Sequence, residues 1–272
     1  MKVWLRYSIL VIVFLLLIPS LLGFAALSVT KFKLLKAGTY INALEKNDGY
    51  GLIEAHITKN YSSLKLPEGY TKSQIDSSIT SVFDYLNGQT DLLELKIDVR
   101  PLKQQYLGNS ALFMQDSAES KLLPDYIDMA PQFDTSMISQ ARPIIGIARA
   151  GFYGLAILSL ALLEAAFLLC ATLKGWLRFT GSSFLVSGAL LLMPLLVLPG
   201  MIARNPKMVQ NELAAPLLLD VANDIAQFAR AIAFTFMGAG AVVFGLSFFA
   251  KKQPTVVQKR KQKKSKRRPS RH

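Results

Sequence analysis

Four apolar runs, each long enough to cross a lipid bilayer, constrain this chain more than any other feature. A hydrocarbon core of roughly 30 Å needs about 20 predominantly apolar residues as a helix. Tyr7–Val29, Ile144–Leu173, Phe179–Ala203 and Ala231–Ala250 all satisfy that length. The third and fourth carry no charge, and the second carries only Arg149 and Glu164. Runs of this length are not core elements of a soluble domain. With 51% hydrophobic residues and one cysteine in 272, neither a soluble fold nor a disulfide-stapled module fits.

The charge has an address. The net charge is +13, and the 11 Lys/Arg of residues 251–272, which include no acid, account for all but +2 of it. Lys2 and Arg6 precede the first run, and Lys174 and Arg178 fill the short link between the second and third. With four spans, these flanks and the basic tail share one face. The other face receives residues 30–143, with 12 bases against 14 acids, and residues 204–230, with three of each. The positive-inside rule therefore predicts cytoplasmic amino and carboxyl termini in the plasma membrane. Cleavage of the first run as a secretory signal is the alternative. Its 23 apolar residues exceed an h-region, and no Ala-x-Ala site follows, so retention is the expectation.

The predicted architecture is all-α in the membrane: a four-helix transmembrane bundle with a small α-rich (α+β) extracytoplasmic domain. Residues 1–29 form the first helix, 30–143 the domain, 144–250 three further spans and 251–272 a disordered polybasic tail. Within the domain, Lys33–Asn47 is expected to continue the first helix, Asp48-Gly49 to break it, and Leu52–His56 to form a short helix. Thr71-x-x-Gln74 has capping-box spacing. Ile75, Ile79, Val82, Phe83 and Leu86 then mark one helical face, ended by Asn87-Gly88. Leu93–Val99 alternates as a half-buried strand, whose nearest partner is Ile57–Leu66; pairing with another chain is the other reading. A polar helix is expected over Gln104–Leu122.

Tyr40-x-x-Ala43-Leu44, the helix ending in Leu86-x-Gly88 and the strand running into Pro101-Leu102-Lys103 resemble a pattern in uncharacterised bacterial four-pass membrane proteins. Those proteins carry one large extracytoplasmic loop after the first span. The resemblance covers about a third of the chain and implies this architecture but no activity.

Catalytic and cofactor signatures are weak. The histidines, His56 and His272, have no ligand spacing with Cys, Asp or Glu. Asp125, Asp128 and Asp134 lie in a proline-broken stretch and read as a solvated loop before a cation site. Asn60-Tyr-Ser62 is a glycosylation sequon. No catalytic, cofactor or metal residue is assigned.

Glu164 is the chemical exception. Counted back from Leu173, it lies about 13 Å inside its span. A carboxylate there costs at least about 2.5–3.5 kcal/mol and demands a partner or a cavity. Counting the same distance from Phe179 lands on Ser187, with Ser183 one turn away. The expectation is a neutral carboxyl hydrogen-bonded to Ser187 or Ser183; a proton relay is the alternative. The lone Cys170, within the second run, reads as a small hydrophobe.

Before the last span, Pro216–Arg230 sets Leu217, Leu218, Val221, Ile225 and Phe228 opposite Asp220 and Asp224, as an interfacial amphipathic helix would. In the tail, Lys259, Arg260, Lys261, Lys263, Lys264, Lys266, Arg267 and Arg268 are expected to contact anionic inner-leaflet lipids, at about 1 kcal/mol per base. Sequence-blind RNA or ribosome contact is the weaker reading. The expected function is non-enzymatic: an envelope scaffold, assembly or sensing protein whose extracytoplasmic domain meets a protein partner. A small proton-coupled transporter centred on Glu164 is the alternative.

Overall fold

A computed structural model describes residues 3–60, 67, 69–101, 125–128, 136–170, 172–204 and 214–250. Helix dominates: α1 spans Val3–Val29, α2 Ala37–Lys46, α3 Gly49–Asn60 and α4 Tyr70–Leu86, followed by α5 Ser136–Leu169, α6 Leu173–Arg204 and α7 Ala214–Phe249. Two short strands, β1 Lys96–Asp98 and β2 Tyr126–Asp128, form the sheet among the described residues. Helices α1, α5, α6 and α7 are long and apolar enough to cross a membrane, which makes this a multi-pass membrane protein. The chain divides into two compact units. Residues 1–28, 151–201 and 226–272 form a span unit, and residues 29–150 and 202–225 form a loop unit.

In the span unit, close packing replaces the hydrophobic effect, because lipid tails are as apolar as the side chains. Its interior is correspondingly small: Ala25, Ala166, Ala233, Ser183, Ser187 and Ser247 are fully enclosed, together with Leu17. A Cβ at Gly181 of α6 would lie 2.6 Å from the Phe244 amide nitrogen and 2.8 Å from the Gly240 carbonyl of α7. Gly188 meets the Ala233 carbonyl at 2.8 Å in the same way. Gly154 of α5 and Gly245 of α7, by contrast, face open space. Between α1 and α5, Ser20 Oγ lies 2.8 Å from Ser159 Oγ, and Phe24 stacks on Phe152 at 5.1 Å. Trp176 of α6 stacks edge-on against Phe167 of α5 at 5.4 Å and donates its indole N–H to the Leu163 carbonyl.

Three boundaries depart from the sequence reading. Helix α5 ends at Leu169 and α6 begins at Leu173, so Lys174 and Arg178 already lie inside α6. Thr172 Oγ1 accepts the Gly175 N–H at 3.1 Å, an N-cap that starts α6 early. Cys170 accordingly follows the helix end instead of lying within the span. The amphipathic stretch 216–230 is no separate interfacial helix: it is continuous with the fourth span in α7, since nothing between Ala214 and Phe249 interrupts helix formation.

In the loop unit, α1 ends in a π-turn over Thr30–Leu34, and Leu35-Lys36 separates it from α2. Asp48, at φ 50°, turns the chain from α2 into α3, which runs to Asn60 and overruns the predicted Leu52–His56. Helix α4 forms where its periodicity places it, but the capping box does not. Gly69 is the N-cap, in the left-handed region at φ 72°, so Thr71 is already inside the first turn with its hydroxyl buried. Gln74, freed from capping, accepts the Asp98 amide at 2.9 Å, and Tyr70 donates to the Asp98 carbonyl at 2.8 Å. These bonds seat β1 on α4.

The partner of β1 is Tyr126–Asp128, antiparallel with Ile97 opposite Ile127. It is not Ile57–Leu66: Ile57–Asn60 belong to α3, and 61–66 lie outside the described residues. A three-residue strand between prolines leaves almost no alternation to detect. Asp125 and Asp128, read as loop, therefore flank and end β2. Gln104–Leu122, Asp134, the sequon's Tyr61-Ser62 and the entire tail, including Lys259–Lys261, Lys263, Lys264 and Lys266–Arg268, lie outside the described residues.

Arg100 binds both carboxylate oxygens of Asp98, at 2.9 and 2.6 Å, and lies over the Tyr126 ring at 4.8 Å. The guanidinium holds the Asp98 carboxyl below the usual carboxylate range, opposed by its partial desolvation. A lowered carboxyl contributes stability above its unfolded value and loses it as pH falls through the folded one. Acidification below the ordinary carboxylate range should thus loosen the hairpin, seen as lost protection of the Arg100 Nε–H by NMR. Asp98→Asn should remove that pH step, and a step that persists in this variant excludes Asp98 as its source.

Candidate functional site

The strongest site in the described residues is a groove of about 440 Å³ in the loop unit, between α2, α4 and the first turns of α7. Each wall follows from sequence. Ala43 and Leu44 sit on the buried face of α2, Ile79, Val82 and Phe83 on the periodic face of α4, and Leu217, Leu218 and Val221 on the apolar face of α7. Tyr40 stacks on Phe83 with centroids 4.8 Å apart, closing one side of the groove. Its hydroxyl donates to the Leu34 carbonyl at 3.0 Å, and burial raises its pKa. Ser78 supplies the remaining side-chain hydroxyl, and no charged residue lines the groove. Leu218 remains 52% exposed, so an apolar surface stays open to an incoming ligand.

Polar contacts fix the α7 wall. Asn47 Nδ2, just past α2, donates to Asp220 at 2.8 Å, and Lys33 binds both Asp224 oxygens at 3.0 and 2.8 Å. Asp220 and Asp224, which sequence periodicity assigns to a solvent face, instead anchor α7 to the elements after α1. At the end of α4, Asn87 donates to the Leu35 carbonyl and accepts from Arg149, while Arg142 stacks on Tyr85 at 4.7 Å and pairs with Asp91. Arg149, a charge within the second apolar run, is thus a tie to the α4 C-cap. A second hollow of about 340 Å³ is lined by Asp84, Asp91 and Glu94 among others, but no metal-binding cluster occurs among the described residues.

The intramembrane site anticipated from sequence does not assemble. Glu164 is exposed on α5, and among the described residues nothing bonds to it. Ser187 is fully buried with its hydroxyl unbonded among the described residues, and Ser183 donates to the Phe179 carbonyl one turn below. The cause is register. With α5 ending at Leu169 and α6 beginning at Leu173, Glu164 lies five residues from its helix end, about 7–8 Å. The same count into α6 reaches Arg178, two turns short of Ser187. Ser20 and Ser159 do form a polar pair between α1 and α5, with their hydroxyl oxygens 2.8 Å apart.

The groove was visible in sequence as three separate apolar faces, but no signal in the chain said that they face one another. Comparison with family models, with curated proteins and with solved structures finds no match to this chain.

Proposed function

We propose that this is a non-enzymatic envelope protein, a scaffold, assembly or sensing factor. It sits in the plasma membrane with cytoplasmic termini, its loop unit outside the cell and its polybasic tail on anionic inner-leaflet lipid. The groove carries this reading. Ligand sites are concave, mostly apolar and about 300–1,000 Å³, with polar groups that set orientation. Here the walls are apolar and the one aromatic hydroxyl is already bonded, which suits capture of an apolar side-chain row from a partner helix. Its lining holds no base or charge that could activate the Ser78 hydroxyl. A relay centred on Glu164 has less support, because Ser183 and Ser187 do not meet it.

The test is to fill the groove from α4. Ser78→Trp should leave the protein folded and reduce recovery of specific envelope partners from mild detergent by about tenfold or more, the scale of a central interface residue. Ser77→Trp, on the exposed side of the same helix, should not. Unchanged recovery with Ser78→Trp would remove the basis of the proposal.

A further inference from the structure

Arg230 is a cation without a counter-charge in its own unit. Residues 1–28, 151–201 and 226–272 hold a single acid, Glu164. That carboxyl belongs to a residue about 7–8 Å from the end of α5. The Leu195 carbonyl that Arg230 binds lies about 33 Å into α6, counted from Leu173. The two charges therefore stand toward opposite ends of the spans.

A guanidinium has five N–H donors and stays charged. Here one Nη2 hydrogen goes to the Leu195 oxygen at 3.3 Å, and Nε is enclosed without a bond among the described residues. Nη1 is neither bonded nor enclosed among those residues. Both Nη1 hydrogens and the second on Nη2 thus remain for a ligand that reaches the helix surface.

The surroundings define that ligand. Arg230 immediately precedes the uncharged run Ala231–Ala250, whose length matches the roughly 30 Å of hydrocarbon. It stands where acyl chains give way to headgroups. Gln227 precedes it by one turn and Phe234 follows by one, so all three share a face of α7. Gln227 is exposed, and Phe234 is 59% exposed. Amide, guanidinium and ring follow one another as headgroup, phosphate and tail do in a phospholipid. Side chains on a helix lean toward its N-terminus, which carries the Gln227 amide and the Arg230 fork away from the hydrocarbon.

We propose that Arg230 and Gln227 hold the phosphate of an anionic phospholipid in the leaflet opposite the polybasic tail, with an acyl chain along Phe234. The guanidinium fork takes two phosphate oxygens. A zwitterionic headgroup brings its own ammonium and leaves the Arg230 charge uncompensated, whereas an anionic one neutralises it. The site rests on the bilayer reading of the spans and is independent of the groove.

The full chain in phosphatidylcholine vesicles tests it, with Cys170→Ser as background and a bimane label on Gly238→Cys. Position 238 faces open space about 12 Å deeper than Arg230 along α7. Phosphatidylglycerol with a nitroxide on its acyl chain should quench this label with a preference of about fivefold or more over phosphatidylcholine carrying the same nitroxide. A label on Ile157→Cys, 68% exposed at a similar depth on α5, should show no preference. Arg230 also supports the Leu195 carbonyl, so its removal is made where that support is dispensable. Pro199→Ala should keep the preference, and Pro199→Ala with Arg230→Gln should lose it while remaining folded by thermal melting. Equal quenching by the two lipids at position 238, or an equal preference at 157, overturns the proposal. A preference that survives Arg230→Gln belongs to the tail and overturns it as well. Inorganic phosphate at constant ionic strength should change nothing; if it erases the preference, free phosphate is the occupant and the lipid is excluded.

Discussion

Gly181→Ala should destabilise the span unit by about 0.5–2 kcal/mol net, although alanine is the better helix former. Two opposing terms decide the sign. Replacing glycine in a helix gains about 0.5–1 kcal/mol from reduced backbone freedom. Against this, the new methyl would sit 2.6 Å from the Phe244 amide nitrogen and 2.8 Å from the Gly240 carbonyl. Both are backbone atoms that cannot rotate away, so α6 and α7 must separate, and forced overpacking costs about 1–3 kcal/mol. Controls lie on α7: Gly238 and Gly245 have nothing within 4 Å of a built Cβ, so alanine there should be neutral or stabilising. Gly240→Ala meets the Gly181 carbonyl at 2.8 Å and loosens the same contact. The double variant should therefore cost less than the two single changes added together. Melting of the purified protein by intrinsic fluorescence measures all of these. A Gly181→Ala protein as stable as its Gly245→Ala counterpart would show that the backbones do not approach this closely.

What sequence made legible follows the range of the forces involved. The four apolar runs report an averaged property over some 20 residues, and all four are helices. The periodic face of α4 likewise survives, from Ile79 through Phe83. Features that depend on one residue's geometry were harder to read. Thr71 and Gln74 have the spacing of a capping box, yet a left-handed Gly69 begins the helix earlier and Gln74 binds β1 instead. The Glu164 register failed by a similarly small step. The basic residues at 174 and 178 resemble a loop, but Thr172 caps the helix before them, which shifts every level in α6 by about six residues. Long-range pairings left no trace in composition: β1 with Tyr126–Asp128, Asp224 with Lys33, and the meeting of three apolar faces in the groove.

Arg230→Leu should destabilise the protein by about 1–2 kcal/mol, and Pro199→Ala should abolish most of that cost. In a helix the carbonyl of residue i accepts the amide of residue i+4, and proline has no N–H to give. Pro199 therefore deprives the Leu195 carbonyl of its helical partner within α6. Arg230 of α7 answers it: Nη2 donates to the Leu195 oxygen at 3.3 Å, a charged donor for an orphaned acceptor. Such charge-assisted bonds contribute about 1.5–3 kcal/mol, and a freed carbonyl at membrane depth must find some donor. Part of that gain is lost because Arg230 Nε is buried without a bond among the described residues, which sets the smaller net figure. The rescue separates this account from simple loss of a side chain. With alanine at position 199 the helix restores its own N–H, and Leu195 no longer depends on α7. A double-mutant cycle read by thermal melting should then give a coupling of about 1 kcal/mol or more between two residues on different helices. If the two costs simply add, Arg230 is held by something other than the carbonyl that Pro199 exposes.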